Sequence, residues 1–80
     1  MKKELKAEVE TVLNNIFPTL NGRIEDWWGP NEIEGWDSMK HLDLVMALGE
    51  RFQISLEFEE ILSIESIEDI YLTLEKRGIR

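Results

Sequence analysis

Apolar residues recur at helical spacing near the start of the chain. These residues are Leu5, Val9, Val12, Leu13, Ile16 and Phe17. The steps between them are four, three, one, three and one positions. Residues three or four apart share one face of an α-helix, so this pattern predicts a helix over residues 2–17. Pro18 is predicted to end it, because proline disfavours helical geometry in the preceding residue.

A second apolar segment begins after Asp37 and Ser38, both of which are common N-cap residues. It predicts a helix over residues 38–52, with one face formed by Leu42, Val45, Met46, Gly49 and Phe52. This apolar surface is widened by Leu44, Ala47 and Leu48. The helix is therefore expected to be central and buried on more than one side.

Four isoleucines recur every three residues in the last third of the chain, at positions 61, 64, 67 and 70. Nine residues of α-helix turn through ~900°, so one straight helix would place the first and last of them on opposite faces. A break between Ser63 and Ser66 resolves this conflict. It predicts a short helix over residues 57–62, which buries Phe58, Ile61 and Leu62. It also predicts a last helix over residues 67–77, which buries Ile67, Ile70, Tyr71 and Leu74.

Local signals define the ends of the last helix. Ser66-Ile67-Glu68-Asp69 resembles a capping box in which Asp replaces the usual Glu. At the other end, Lys76 and Arg77 suit the negative end of the helix dipole, and Gly78 ends the helix.

Residues 18–37 are predicted to form a long loop with three tryptophans. Its apolar residues are Ile24, Trp27, Trp28, Ile33 and Trp36. They are expected to pack the loop over the helices, and contact with a ligand or partner is the alternative. The chain is thus predicted to be a single domain over residues 1–80, an all-α four-helix bundle.

Composition excludes several kinds of site. The chain has no cysteine, and its one histidine, His41, cannot build a multi-histidine zinc site. No metal site is predicted. No apolar run approaches the ~18 residues of a membrane span, and no signal sequence is recognisable, so a cytoplasmic protein without membrane insertion is expected.

Acidic residues dominate the middle of the chain. The whole chain contains seventeen acidic and nine basic residues, and the stretch from Asn21 to Glu75 contains fourteen acidic and three basic ones. This balance argues against nucleic-acid binding, which needs a basic patch. It favours positively charged partners, and a solvated face that keeps a small protein soluble is the alternative.

A helical bundle of 80 residues leaves little room for a deep polar active site, which favours a carrier or adaptor over an enzyme. A small hydrolase using Ser38 and His41 is one alternative. The pattern disfavours it, because both residues share one helical turn and no Gly-x-Ser-x-Gly elbow is present. An unmodified helical interaction domain, with Asp37 and Ser38 serving as a cap, is another alternative.

The segment around Ser38 resembles the signature of acyl carrier proteins. Gly35-Trp36-Asp37-Ser38-Met39 is similar to their Gly-x-Asp-Ser-Leu motif, and the following helix matches up to Phe52. The resemblance extends over residues 5–78 and implies the four-helix fold of that family. It implies that a phosphopantetheinyl transferase attaches 4′-phosphopantetheine from coenzyme A, with magnesium, to Ser38. The thiol of this arm would then carry an acyl group as a thioester, and the chain itself would be a non-catalytic monomer.

The resemblance also implies a surface for partner enzymes with basic patches. Asp37 and Met39 flank the attachment site, and Asp43 and Glu50 match acidic positions of the family's recognition helix. On the same surface, Lys40 and Gly49 stand where housekeeping fatty-acid carriers are usually acidic, and His41 replaces a small residue. These departures favour a specialised lipid, polyketide, peptide or glycan-linked pathway. A housekeeping fatty-acid carrier and an aminoacyl carrier are the alternatives.

The family opens its apolar interior to admit the acyl chain. By position, the residues implied for such a pocket are Met46, Ile54, Ile61 and Leu62. Plain core packing is the alternative for each of them.

Overall fold

The computed structural model of the chain describes residues 3–20 and 24–79, so the first residue of the predicted helix 2–17 and residues 21–23 of the predicted loop lie outside the described residues. Its helices are α1 (Lys3–Ile16), α2 (Ser38–Phe52), α3 (Phe58–Ser63) and α4 (Ile67–Lys76), and Pro18–Leu20 forms a turn of 3₁₀-helix. No strand occurs within the described ranges, which confirms the prediction of an all-α chain with three longer helices and one short one. Among the described residues, no helix combines the length and the apolar character that a membrane span requires.

The predicted stripe of α1 forms one side of the core. Its buried members are Leu5, Val9, Val12 and Leu13, and Phe17 is buried just beyond the helix. Each such side chain contributes about 1.5–3 kcal/mol when it is fully removed from water. Ile16 is partly buried against the same cluster.

α2 packs against α1 and contributes Leu44 and Leu48 to the core, and Val45 is also buried. The expectation that Leu42 and Met46 are buried with them is wrong, since both are more than half exposed. They lie on the side of α2 that lines open cavities shared with α3, so their apolar surface has no core to enter.

The end of α2 is a tight turn around Gly49. Gln53 adopts left-handed geometry (φ 54°), and the N–H groups of Gln53 and Ile54 both donate to the Gly49 carbonyl. A Cβ atom at position 49 would lie 2.8 Å from the Ile54 carbonyl oxygen. Gly49 therefore has a packing role, which the sequence comparison with acidic family positions did not indicate.

None of the six described residues of α3 is buried. The expectation that this helix buries Phe58, Ile61 and Leu62 is wrong, because Phe58 is 71% and Leu62 60% exposed and Ile61 is half-buried. Fewer than two helical turns offer little surface to a core. The buried anchor is instead Ile64, which directly follows the helix.

Polar contacts hold the N-terminal end of α3 in place. The Glu57 N–H donates to Glu60 Oε1 at 2.8 Å, as in a capping box. The Arg77 guanidinium binds both oxygens of Glu60, with Nε 3.0 Å from Oε2, and it also donates to the Ser55 carbonyl at 2.7 Å. The hydrogen bonds from Arg77 and from the Glu57 backbone lower the pKa of Glu60 to about 2. Arg77 thus ties the end of α4 to α3.

α4 begins at the predicted cap. The Ser66 Oγ accepts the Asp69 N–H at 3.3 Å. Asp69 departs from the expected capping box, because its carboxylate accepts the N–H of Glu65 rather than that of Ser66, at 2.9 Å. The predicted face is buried and includes one further residue; its members are Ile67, Ile70, Tyr71, Thr73 and Leu74. Gly78 ends the helix with a φ of 81°, as predicted.

The loop before α2 packs onto the bundle. Ile33 and Trp36 are buried and Trp28 is partly buried, so packing of the loop over the helices is confirmed for these residues. Trp27 differs, because 67% of it is exposed. The loop also covers the start of α4, whose Ile67 N–H donates to the Trp28 carbonyl at 2.9 Å.

Candidate functional site

Ser38 is the first residue of α2 and is exposed. The capping role belongs to Asp37, whose carboxylate accepts the Lys40 N–H at 2.9 Å. Among the described residues, none forms a hydrogen bond with the Ser38 hydroxyl. The hydroxyl therefore stands at the positive end of a fifteen-residue helix, where an anionic group is favoured.

An apolar cavity of about 510 Å³ opens beside Ser38. We call it the Ser38 cavity. Its walls come from the loop before α2, the first turns of α2 and the exposed side of α3. The apolar lining residues are Pro30, Trp36, Leu42, Phe58, Ile61 and Leu62, and the polar ones are Asp37, Ser38 and His41.

His41 connects three parts of the chain at this cavity. The Trp36 indole N–H donates to His41 Nδ1 at 3.0 Å, and His41 Nε2 lies 2.8 Å from the Ile61 carbonyl oxygen. Because an indole N–H can only donate, Nδ1 must be the acceptor and Nε2 carries the proton that is donated to Ile61. We call this pair of hydrogen bonds the His41 bridge.

The Trp36 ring continues the bridge into the core. It stacks on the His41 ring, with centroids 6.0 Å apart, and lies 5.5 Å from the ring of Phe17. Trp36 is 5% exposed, so its indole N–H depends on His41 for an acceptor. The bridge thus links the loop, α2 and α3 to the α1 side of the bundle.

This arrangement bears on the hydrolase alternative. A serine nucleophile needs a base whose ring nitrogen faces its hydroxyl. Both ring nitrogens of His41 are engaged, one with Trp36 and the other with Ile61, and Ser38 is bonded to neither. The two residues share a helical turn but do not form a nucleophile and base pair in this structure.

A second cavity, of about 450 Å³, follows the first along α2 and α3. We call it the Met46 cavity. Its lining residues are Val45, Met46, Gly49, Glu50, Ile54, Ser55, Leu56 and Ile61. Three of the four predicted pocket residues, Met46, Ile54 and Ile61, are therefore brought together here, and the fourth, Leu62, lines the Ser38 cavity. Ile61 lines both.

An exposed apolar surface runs around the two cavities. Its members on α2 and α3 are Met39, Leu42, Met46, Phe58 and Leu62. The predicted partner-binding residues Lys40, Asp43 and Glu50 are also exposed on α2, whereas His41 is half-buried by its internal bonds. Partner binding by these four residues stays a prediction.

Sequence reasoning missed Pro30, Trp36 and Phe58 as site residues. The four-residue spacing of Phe58 and Leu62 predicted a shared helical face, but it did not indicate that this face lines a cavity. No local pattern could have indicated the contact between His41 and Ile61, which are twenty residues apart.

Within residues 3–20 and 24–79, no group of three or more histidine or acidic side chains is placed to hold a metal ion. A scan of protein-family models, a search of curated proteins and a search of solved structures each found no match to this chain.

Proposed function

We propose that this chain is an acyl carrier protein that bears phosphopantetheine on Ser38. The observation that carries the proposal is an exposed serine hydroxyl, not used for capping, at a helix N-terminus and at the mouth of an apolar cavity. The Gly35–Met39 motif adds the resemblance to the family. The bundle would then be of the acyl-carrier type, in a cytoplasmic and specialised biosynthetic pathway.

The residues around Ser38 fit the chemistry of the attached group. The N-terminal end of α2 favours the charge of a phosphodiester, and the apolar wall formed by Trp36, Leu42 and Leu62 suits the hydrocarbon parts of the arm or its cargo. When bound, the group supplies a thiol, which this chain lacks.

Ser38 acts as the nucleophile in the attachment reaction. Its Oγ attacks the phosphorus of coenzyme A that carries the pantetheine arm, and a P–O bond forms while the pyrophosphate bond breaks. Adenosine bisphosphate leaves, and the hydroxyl proton passes to the transferase. The exposed Oγ needs no rearrangement of the described residues to be reached.

The surface around Ser38 suits a partner enzyme that carries both apolar and basic groups. Met39 and Leu42 offer apolar contact, while Asp43 and Glu50 offer negative charge on the same helix. Electrostatic complementarity of this kind speeds association and selects the partner. The phosphopantetheinyl transferase and the enzymes that load and process the acyl group would meet this surface.

Intact mass spectrometry tests the proposal directly. The protein is incubated with coenzyme A, magnesium and a broad-specificity phosphopantetheinyl transferase. We expect a mass gain of one phosphopantetheine, which is lost in Ser38→Ala and kept in Ser63→Ala, a matched change of another exposed helical serine. Absence of the gain under conditions that modify a control carrier would refute the proposal.

An unmodified helical interaction domain is the second candidate. It is favoured by the exposed apolar residues on α2 and α3, of which Met39 is 77% exposed. The same incubation separates the two functions, since this candidate predicts an unchanged mass.

A further inference from the structure

The two cavities are consecutive along α2. The Ser38 cavity takes Ser38, His41 and Leu42 from the first turns, and the Met46 cavity takes Val45, Met46 and Gly49 from the next turns. Residues three or four apart lie one turn further along the same helix face. Ile61 is the α3 residue that lines both cavities, so the two meet at this position.

The His41 bridge lies at this junction. His41 Nε2 donates to the carbonyl oxygen of Ile61 and so spans the space between α2 and α3. In a longer helix this carbonyl would accept the N–H of residue 65, but the Glu65 N–H donates to Asp69. His41 therefore supplies a donor that the short helix α3 cannot provide for itself.

Opening of the bridge has an energetic cost, above all at the buried Trp36 ring. Withdrawal of the ring would leave the buried Trp36 indole N–H without its acceptor and the Ile61 carbonyl without its donor. Buried groups that lose a hydrogen-bond partner destabilise the state in which this happens. The closed arrangement is therefore the favoured one in the absence of a ligand.

We propose that His41 is a specificity-determining residue that separates the two cavities and so restricts the carrier to acyl groups that the Ser38 cavity holds by itself. Such a group lies in the Ser38 cavity beside the attachment site. A longer chain reaches the Met46 cavity only when the bond between His41 and Ile61 breaks. This inference rests on the proposed carrier function, and His41 acts in it as a positioning residue.

The test measures how the melting temperature depends on chain length. Ser38 is loaded by the transferase from acyl-coenzyme A thioesters, from butanoyl to tetradecanoyl, and each product is verified by intact mass. His41→Leu removes both hydrogen bonds, whereas His41→Gln keeps one acceptor and one donor. Lys6→Ala, at an exposed position of α1, is the matched control.

In the unaltered protein and in Lys6→Ala, we expect the melting temperature to rise with the first carbons and then reach a plateau. In His41→Leu the rise should continue, by roughly 10 °C for each further pair of fully buried methylenes. His41→Gln should restore the plateau. A purely structural role of His41 would shift all melting temperatures without changing their dependence on chain length.

A continuous rise in the unaltered protein would overturn the inference, even if His41→Leu does not fold. Equal profiles in His41→Leu and the unaltered protein would overturn it too. If Ser38 accepts no load, the carrier function fails, and the separation of the cavities is then tested with free primary alcohols from butanol to decanol. The separation is supported if the melting temperature stops rising with alcohol length in the unaltered protein but keeps rising in His41→Leu. It is contradicted if both proteins show such a plateau or if neither does.

Discussion

Asp37 and Ser38 are both residue types that begin helices, and the structure gives them different roles. Asp37 takes the N-cap position, with extended backbone geometry and a carboxylate that binds the Lys40 N–H. Ser38 is consequently the first helical residue, with a hydroxyl that caps nothing. At this scale, one residue of register decides whether the serine oxygen is used inside the fold or is available to an enzyme.

Gly29 is a residue whose identity is imposed by a close approach. A Cβ atom at this position would lie 2.3 Å from the carbonyl oxygen of Glu65, a backbone atom in the turn before α4. We expect Gly29→Ala to lower the free energy of unfolding by about 1–3 kcal/mol, because the loop must move away from α4. Urea denaturation monitored by circular dichroism measures this change.

Asn31→Ala is the matched control, since Asn31 is exposed in the same loop. It should alter the unfolding free energy by less than about 0.5 kcal/mol, as surface substitutions usually do. Equal stability of Gly29→Ala and the unaltered protein would contradict the close approach.

At the scale of elements, α3 differs from the other helices. α1, α2 and α4 each bury a face in the core, whereas α3 is held by its capping contacts, the His41 bridge and Arg77. Contacts of this kind are few and polar, so they can break without unfolding the core. α3 is therefore the element best suited to move when the cavities beside it are filled.

Arg77→Ala should release one end of α3. The ionised Glu60 carboxylate is stabilised in the folded state, where its pKa is about 2 compared with an ordinary 4.5. A depressed carboxylate pKa contributes stability that is complete above about pH 4.5 and is lost as the pH falls towards 2. We expect Arg77→Ala to lower the unfolding free energy at neutral pH, and we expect this difference to shrink in acid to the part due to the hydrogen bond with the Ser55 carbonyl.

Unfolding curves of Arg77→Ala and the unaltered protein, recorded from neutral pH into this acid window, measure the difference. Lys6→Ala removes a positive charge from an exposed position of α1 that does not act on Glu60, and it serves as the control. A deficit in Arg77→Ala that is constant over the whole pH range would show that the ion pair with Glu60 is not its cause.

At the scale of the whole molecule, excess negative charge is the dominant feature. Fourteen acids face three bases between Asn21 and Glu75, and the chain is only 29 × 27 × 20 Å across. Among the described residues, ion pairs join Arg51 to Glu8 and Arg77 to Glu60, while the whole chain keeps a net charge of -8. Repulsion within this excess of negative charge opposes the compact state.

Moderate salt or magnesium should therefore raise the melting temperature. Screening shortens the range of repulsion to about 10 Å at 0.1 M ionic strength, which is less than the width of this molecule. Differential scanning calorimetry over a salt series measures the effect. Neutralising the exposed Glu59 and Glu68 with glutamine should reduce it, and an unchanged melting temperature across the series would show that repulsion is minor.

Charge reversal on α2 should weaken partner binding more than folding. Asp43 and Glu50 are exposed, so Asp43→Lys or Glu50→Lys alters the surface potential without disturbing the core. We expect binding to the transferase to weaken several-fold, mainly through slower association, while circular dichroism stays unchanged. Glu75→Lys, at an exposed position of α4, is the control, and equal loss of binding in all three variants would contradict a localised surface.

Local sequence patterns were sufficient for the helices that bury a face. The spacing of apolar residues, Pro18, the Ser66 cap and Gly78 predicted α1, α2 and α4 within one or two residues. These signals act between neighbours in the chain, so they can be read without a fold. Ser38 was found in the same way, because its motif is contiguous.

The predicted bounds of α3 were close to the observed ones, but the prediction that its apolar residues are buried was wrong. Phe58 and Leu62 have the helical spacing of a core face, and nothing local shows that they line a cavity instead. Burial depends on what the rest of the chain places opposite a residue. The same limit applies to Leu42 and Met46 on α2.

The sequence by itself determined the helical content, the acidic character, the lack of thiols and the serine at the start of α2. The tertiary structure alone decided that an apolar cavity lies beside this serine and that His41 joins Trp36 to Ile61. The physical reason is the separation along the chain between the residues that determine each feature. Helix formation and capping depend on residues a few positions apart, whereas a cavity and its walls require distant segments to be fixed together by packing.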